Sequence, residues 1–253
     1  MPDFLLRDDG TRLAYRCQAG AGPTVMFLPG FRSDMEGAKA VALAEHCRIQ
    51  GRAFVRFDYR GHGASGGAFE EGCLGDWIDD ATLILDRIVA GDAVLVGSSM
   101  GGWIMLHLAL RRPERVKGLV GLAAAPDFTA TLLPDQLGPE GLARLALAGR
   151  IEVPSAYGAP LTITRRLIED GNDHRLLDGP IPIRCPVHLL HGQEDPDVPW
   201  PTALRLAGRL DTGAVTVELV KDGDHRLSRD ADLRRMTAAV DRVIQLATTG
   251  LPG

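Results

Sequence analysis

Apolar and polar positions follow two different periods along the chain. Short β-type runs, namely FLLR, LAYRCQ, TVMFL, AFVRF, AVLVG, GLVGLAA, PVHLLHG and AVTVELV, alternate with longer stretches of helical periodicity at 34–50, 74–90, 99–111, 201–210 and 230–247. Asp34, Asp76 and Asp230 stand near the starts of three of these stretches, where a carboxylate suits the helix dipole. Such alternation predicts an α/β fold, with a mostly parallel sheet covered by helices on both faces. The first two runs, separated by DDG, read as an antiparallel hairpin feeding that sheet.

Between GLVGLAA and PVHLLHG the alternation breaks down over 128–183 into irregular helical fragments interrupted by prolines. With no linker-like sequence on either side, this stretch is expected to be a cap inserted over the C-terminal edge of the sheet, within one domain spanning 1–253.

Composition narrows the function classes. At 253 residues and 45% hydrophobic, the chain can bury a large core, and its net charge of −5 leaves no basic stripe for nucleic acid. The apolar runs fall well short of the roughly 20 residues needed to cross a bilayer. MPDFLLRDDG carries acids where a secretory signal needs a basic start, and it is not the Arg-rich, acid-poor sequence of a transit peptide, so a cytoplasmic address is expected. Cys17, Cys47, Cys73 and Cys185 form no CxxC pair, which predicts reduced thiols and no metal site.

The chemistry centres on Gly97-Ser98-Ser99-Met100-Gly101. G-x-S-x-G is satisfied only with Ser99 in the middle, since Ser98 would need a glycine where Val96 stands. A strand precedes the motif and a helix follows, the context of a sharp turn that lifts a serine Oγ to the sheet edge. A serine hydroxyl is a poor nucleophile without a base to take its proton. Among seven histidines, His225 in KDGDHRLSRD follows the last strand and can reach that edge. His46 and His107 lie in helical patterns, His188 and His191 belong to the strand PVHLLHG, His62 reads as a structural loop residue in DYRGHGASGG, and His174 reads as exposed in the cap. The orienting acid is expected after PVHLL, where HGQEDPDVPW offers Asp195, then Asp197 and Glu194. Pro196 biases Asp195 toward extended geometry. An oxyanion needs two N–H donors, for which Met100 and Phe31 are the candidates because Pro29 has no N–H. Trp103, Phe128 and Trp200 are candidate walls of a substrate pocket, and Arg165, Arg166 and His174 read as solvated cap residues.

With LPGF, DYRGHGAS, GSSMG, HGQEDPDVP and GDH in order, the sequence resembles the α/β-hydrolase superfamily over essentially its whole length. Its core motifs look particularly like the branch containing a mitochondrial palmitoyl-protein thioesterase that also hydrolyses acyl glucuronides. The resemblance implies an eight-stranded α/β-hydrolase fold, Ser99 as nucleophile, Asp195 as orienting acid, His225 as base, and the Phe31 and Met100 backbones as oxyanion donors. It implies an esterase or thioesterase acting on small-molecule or acylated-protein substrates, with no cofactor. Amidase, carbon–carbon hydrolase or perhydrolase chemistry on the same triad is the alternative reading, and a non-catalytic ligand-binding module is a further one.

Overall fold

The computed structural model describes residues 1–155 and 158–249; positions 156–157 of the expected insertion and 250–253 of the expected single domain lie outside the described residues. The sheet begins as the sequence pattern suggests. β1 (Asp3–Leu6) and β2 (Arg12–Gln18) pair antiparallel, with the Arg7 N–H donating to Thr11 O across the turn. β2 joins β4 (Arg52–Phe57) antiparallel, and from there the pairing is parallel through β3 (Ala21–Leu28), β5 (Ala93–Ser98), β6 (Val116–Leu122), β9 (Val187–Gly192) and β10 (Val215–Val220). The order of the eight strands is β1-β2-β4-β3-β5-β6-β9-β10.

The apolar residues of β5 and β9 are buried on both sheet faces, which is why their sequences run apolar without alternation. On one face, α1 (Ala38–Ile49) and α8 (Asp230–Thr249) pack Leu43, Cys47, Met236 and Val240 against β3, β5 and β6. On the other, α2 (Leu74–Arg87), α3 (Met100–Arg111) and α7 (Pro201–Ala207) bury Trp77, Ile78, Ile104 and Leu206. Each large side chain so buried stabilises the fold by roughly 1.5–3 kcal/mol. α1 starts four residues later than its periodicity suggests, because the Asp34 carboxylate accepts the Glu36 N–H at 2.8 Å and forms a turn of its own.

Chain direction sets where chemistry can occur. β3 leads to β4 on one side, whereas β5 returns to the other side of β3, so the strand order reverses between β3 and β5. Loops leaving the C-terminal ends of strands diverge at such a point and leave a crevice.

Over this crevice the chain forms α4 (Phe128–Thr131), α5 (Leu133–Ala148), a hairpin of β7 (Arg150–Ser155) and β8 (Gly158–Thr164), and α6 (Arg165–Asp173). Gly138, at φ 63°, and Pro139 kink α5. The buried Asp127 carboxylate ties this region down by accepting the N–H groups of Leu176 and Leu177, both at 2.8 Å. Asp170 accepts the Gly75 N–H of α2 at 2.7 Å. His174 corrects its sequence reading: it is half-buried, donates from Nδ1 to Asp170 O at 2.7 Å and packs edge-on against His107. Arg166 pairs with Asp76 and Arg165 with Glu169, both on exposed surface.

Candidate active site

Ser99 occupies the turn between β5 and α3 with φ 52° and ψ −117°, a conformation non-glycine residues rarely hold. Its backbone is held there by three bonds: its N–H donates to Leu122 O, and its carbonyl accepts the N–H groups of Gly102 and Ala125. The flanking glycines are required by contact. A Cβ at Gly97 would sit 2.4 Å from Gly101 O, and one at Gly101 would sit 2.1 Å from Leu28 O. Gly101→Ala is therefore expected to destabilise the fold by about 3 kcal/mol, a fall in melting temperature of roughly 6–12 °C, with Gly213→Ala, which meets nothing within 4 Å, as the unchanged control.

His225 arrives from the loop after β10, and Asp195 from the loop after β9. These loops touch backbone to backbone: Gln193 N–H donates to Val220 O, Glu194 N–H donates to Gly223 O, and a Cβ on Gly192 would meet Gly223 O at 2.2 Å. The result is a continuous hydrogen-bonded chain. Ser99 Oγ lies 3.1 Å from His225 Nε2, and His225 Nδ1 lies 2.8 Å from Asp195 Oδ2. With the Nδ1 proton donated to the carboxylate, Nε2 is left as an acceptor for the serine hydroxyl.

The Asp195 side chain is fully buried. Burial alone would push its carboxyl up, but hydrogen bonds from His191 and His225, with further help from the Val198 N–H, outweigh it and hold the group well below the usual carboxylate range. It therefore stays ionised. Asp197 supplies its backbone N–H to Asp195 Oδ1 at 2.9 Å. Ligand atoms of Asp195, Asp197 and His225 lie within 4.8 Å of one another, and Asp195 and His225 are hydrogen-bonded to each other within that group.

Two amides converge on the same place. Gly30 brings the loop after β3 so close that a Cβ there would lie 3.4 Å from the Ser99 Cβ. Phe31 and Met100 both border the cavity above Ser99, and among the described residues their N–H groups donate to no protein acceptor. Amides so placed can receive a developing oxyanion.

The cavity has a volume of about 650 Å³. Its lining includes the apolar side chains of Phe31, Phe128, Leu132, Leu133 and Leu161, and both cationic and acidic groups, namely Arg32, Lys39, Arg226, Asp34 and Asp197. Burial pushes the Lys39 ammonium down to about 8, and Lys39 donates to the carbonyl of Arg226, next to His225. Two of the three aromatic expectations need correction. Trp103 is fully buried one turn down α3, where it backs Phe128 edge-on at 5.6 Å and does not reach the cavity. Trp200 immediately precedes α7 and does not border the cavity either. Helical rotation and loop direction decide such placements, and neither is visible in spacing alone.

The contribution of DYRGHGAS goes beyond a plain loop. His62 is buried among the rings of Tyr59, Phe69 and Trp77. Its Nε2 accepts the Arg32 N–H at 3.2 Å, and its Nδ1 donates to Arg60 O at 3.0 Å. Burial pushes this imidazole down to about 4, the Arg32 guanidinium adds to the shift and the Arg60 carbonyl opposes it. The ring is neutral at physiological pH. That His62 sits in a glycine-rich loop is readable in sequence; that it reaches the loop after β3 is not.

The family model described as Serine aminopeptidase, S33 (Hydrolase_4) matches residues 21–152. Mouse palmitoyl-protein thioesterase ABHD10, mitochondrial, is 41% identical over 251 residues, which cover 98% of this chain and 84% of the relative. The solved structure of mouse ABHD10 superposes with a TM-score of 0.90 over 97% of this chain and 98% of its own. A putative hydrolase from Agrobacterium vitis S4 is 42% identical, with a TM-score of 0.92 over 96% of this chain and 98% of its own. Est1E from Butyrivibrio proteoclasticus, solved with ferulic acid bound, shares the fold at a TM-score of 0.76 and 20% identity, over 98% of this chain and all of its own. The cytoplasmic expectation is corrected by the near-full-length curated matches, which are themselves named as mitochondrial proteins. Among the described residues no helix is long and apolar enough to cross a membrane. With a matching family model, a relative above 40% identity along nearly its whole length and an eight-stranded sheet of the same architecture, the chain belongs to the α/β-hydrolase superfamily of serine hydrolases, in the Hydrolase_4 family and among the relatives of ABHD10.

Proposed function

We propose that this protein is a serine esterase and thioesterase that cleaves acyl groups from small molecules or acylated proteins, with Ser99 as nucleophile, His225 as general base, Asp195 as orienting acid, and the Phe31 and Met100 amides as oxyanion donors. The observation that carries this reading is the run of hydrogen bonds from Ser99 Oγ through His225 to Asp195, 3.1 and 2.8 Å long, under a cavity lined in part by apolar side chains. The palmitoyl-protein thioesterase activity in the names of its relatives supports the choice of acyl substrate.

In the first half-reaction Ser99 Oγ attacks the acyl carbonyl as His225 Nε2 takes its proton, and the carbonyl oxygen becomes an oxyanion. Collapse of the tetrahedral intermediate breaks the bond to the alcohol or thiol, which leaves with the proton from His225. Water then attacks the acyl-Ser99 carbonyl by the same route, returning the proton to Ser99 and releasing the acid. The apolar lining residues Phe128, Leu132, Leu133 and Leu161 receive the acyl chain, and residues 128–183 act as the cap of a single domain. A cavity of this size is typical for a site that encloses a small organic ligand.

The test is steady-state kinetics on p-nitrophenyl esters and acyl thioesters of increasing chain length, with a fluorophosphonate probe mapped by mass spectrometry. The expected result is a kcat/KM that rises from acetyl to medium-chain substrates and phosphonylation confined to Ser99. Absence of labelling, or labelling elsewhere, overturns the assignment.

A further inference from the structure

We propose that His62 is a positioning residue for the oxyanion-binding loop, holding the Phe31 amide in place through its hydrogen bond to the neighbouring Arg32 N–H. The inference rests on the proposed role of Phe31 as an oxyanion donor and extends it to a residue that touches neither substrate nor Ser99.

The loop after β3 is held at three points by the segment after β4. Tyr59 Oη donates to Pro29 O at 3.3 Å, His62 Nε2 accepts the Arg32 N–H at 3.2 Å, and the buried Asp58 carboxylate accepts the Met35 N–H at 2.7 Å. These ties fall at every third residue and bracket Phe31. The central tie acts where the backbone is strained, since Arg32 has φ 53°. A bond to its N–H holds the Phe31–Arg32 peptide plane, and with Pro29 O held on the other side the two ties restrain the Gly30–Phe31 plane that carries the Phe31 N–H between them.

The other side of His62 is anchored more rigidly than a surface loop permits. Its Nδ1–H donates to Arg60 O, which also accepts the Trp77 Nε1–H at 3.2 Å. The Arg60 N–H in turn donates to Asp80, whose side chain is fully buried and also binds the guanidinium of Arg7 from the first hairpin. The imidazole is therefore a strut between a fixed core and the oxyanion loop. Because the Arg32 N–H is a donor, the strut works only with an unprotonated Nε2. Groups facing the ring are the guanidinium of Arg32, the Arg60 carbonyl, and the rings of Tyr59, Phe69 and Trp77.

Two substitutions separate the two ends of this strut. Glutamine at 62 carries an amide oxygen where Nε2 accepts, whereas asparagine carries an amide where Nδ1 donates to Arg60 O and leaves the Arg32 N–H without an acceptor. With p-nitrophenyl butyrate, His62→Asn is expected to lower kcat by roughly 10- to 100-fold at unchanged KM, because a misdirected amide weakens transition-state binding selectively. Its affinity for an aliphatic trifluoromethyl ketone, which forms an oxyanion adduct on Ser99, should fall by the same factor. His62→Gln is expected to stay within about fivefold of the native enzyme on both measures. Equal impairment of the two variants, or kcat and ketone affinity within threefold of native in His62→Asn, overturns the proposal. If His62→Asn does not fold, Tyr59→Phe carries the test: a fall of at least threefold in kcat and ketone affinity at constant KM supports the clamp, and no change overturns it. Fluorophosphonate labelling of native Ser99 keeps the two readings apart. Labelled Ser99 with no effect at His62 removes only the clamp, and unlabelled Ser99 removes the triad beneath it.

Discussion

Ser99→Ala is expected to lower kcat by roughly 10⁴- to 10⁶-fold and to abolish fluorophosphonate labelling, while Ser98→Ala stays within threefold of the native protein on both measures. The two hydroxyls are adjacent in sequence but sit in different places. Ser99 is half-exposed at the base of the cavity, with its Oγ 3.1 Å from His225 Nε2. Ser98 ends β5, is 6% exposed, and its side chain makes no hydrogen bond to His225. Removing Ser99 Oγ eliminates the covalent route and leaves only the contributions of binding and the oxyanion amides. The measurement is initial-rate kinetics with intact-mass analysis of the labelled variants. Equal loss in both serine variants would mean that the turn, and not its central hydroxyl, carries the activity.

Asp195→Asn is expected to lower kcat by about 10⁴-fold while leaving the fold and KM nearly unchanged. The geometry around Asp195 determines this outcome. Oδ1 accepts two backbone N–H groups, those of Asp197 and Val198, at 2.9 and 2.8 Å. An asparagine at 195 must keep its carbonyl oxygen there, because turning the amide nitrogen toward two donors would leave all three groups unpaired. Its NH₂ then occupies the Oδ2 position and donates to His225 Nδ1. That fixes the imidazole with its proton on Nε2, pointing at Ser99, where it cannot accept the serine proton. Asp195→Glu offers a contrast, since the charge is retained but the extra methylene must find room in a fully buried position. Activity of Asp195→Asn within tenfold of native would show that the carboxylate does not set the tautomer.

The same features explain how the site is kept ready to react. Hydrogen bonds that outweigh burial keep Asp195 ionised, so its orienting charge persists through neutral and mildly acidic pH. The strained Ser99 backbone is held by Leu122, Gly102 and Ala125, which belong to the neighbouring strand, the following helix and the loop after β6. Strain of roughly 1–3 kcal/mol at such a turn persists because several elements enforce it together. The cavity wall is divided between loops of the sheet and residues of the insertion. Arg32 links the two by donating to Pro160 O at 2.8 Å, so the loop after β3 and the β7–β8 hairpin are in direct contact.

Much of this protein was determined by local sequence. Continuous apolar runs without alternation specify strands buried on both faces, and the helical stretches between them allow little besides a parallel sheet. Gly97 and Gly101 around Ser99, with a strand before and a helix after, mark the turn in sequence; local backbone excludes a Cβ at Gly97, whereas at Gly101 it is the end of β3, Leu28 O, that excludes one. Chain order then singled out His225 and Asp195 from their positions after two late strands, and the fold brings those side chains into hydrogen-bonding contact with Ser99 and each other. What only the tertiary structure decided is how separate loops meet. Phe128 borders the cavity, while Trp103, 25 positions earlier in a helix, lies beneath it and Trp200 lies outside. His174 turns inward toward His107, and His62 braces the loop after β3. These placements depend on which strands become neighbours and on how each loop leaves the sheet. That information is carried by long-range packing, which no local period or spacing encodes.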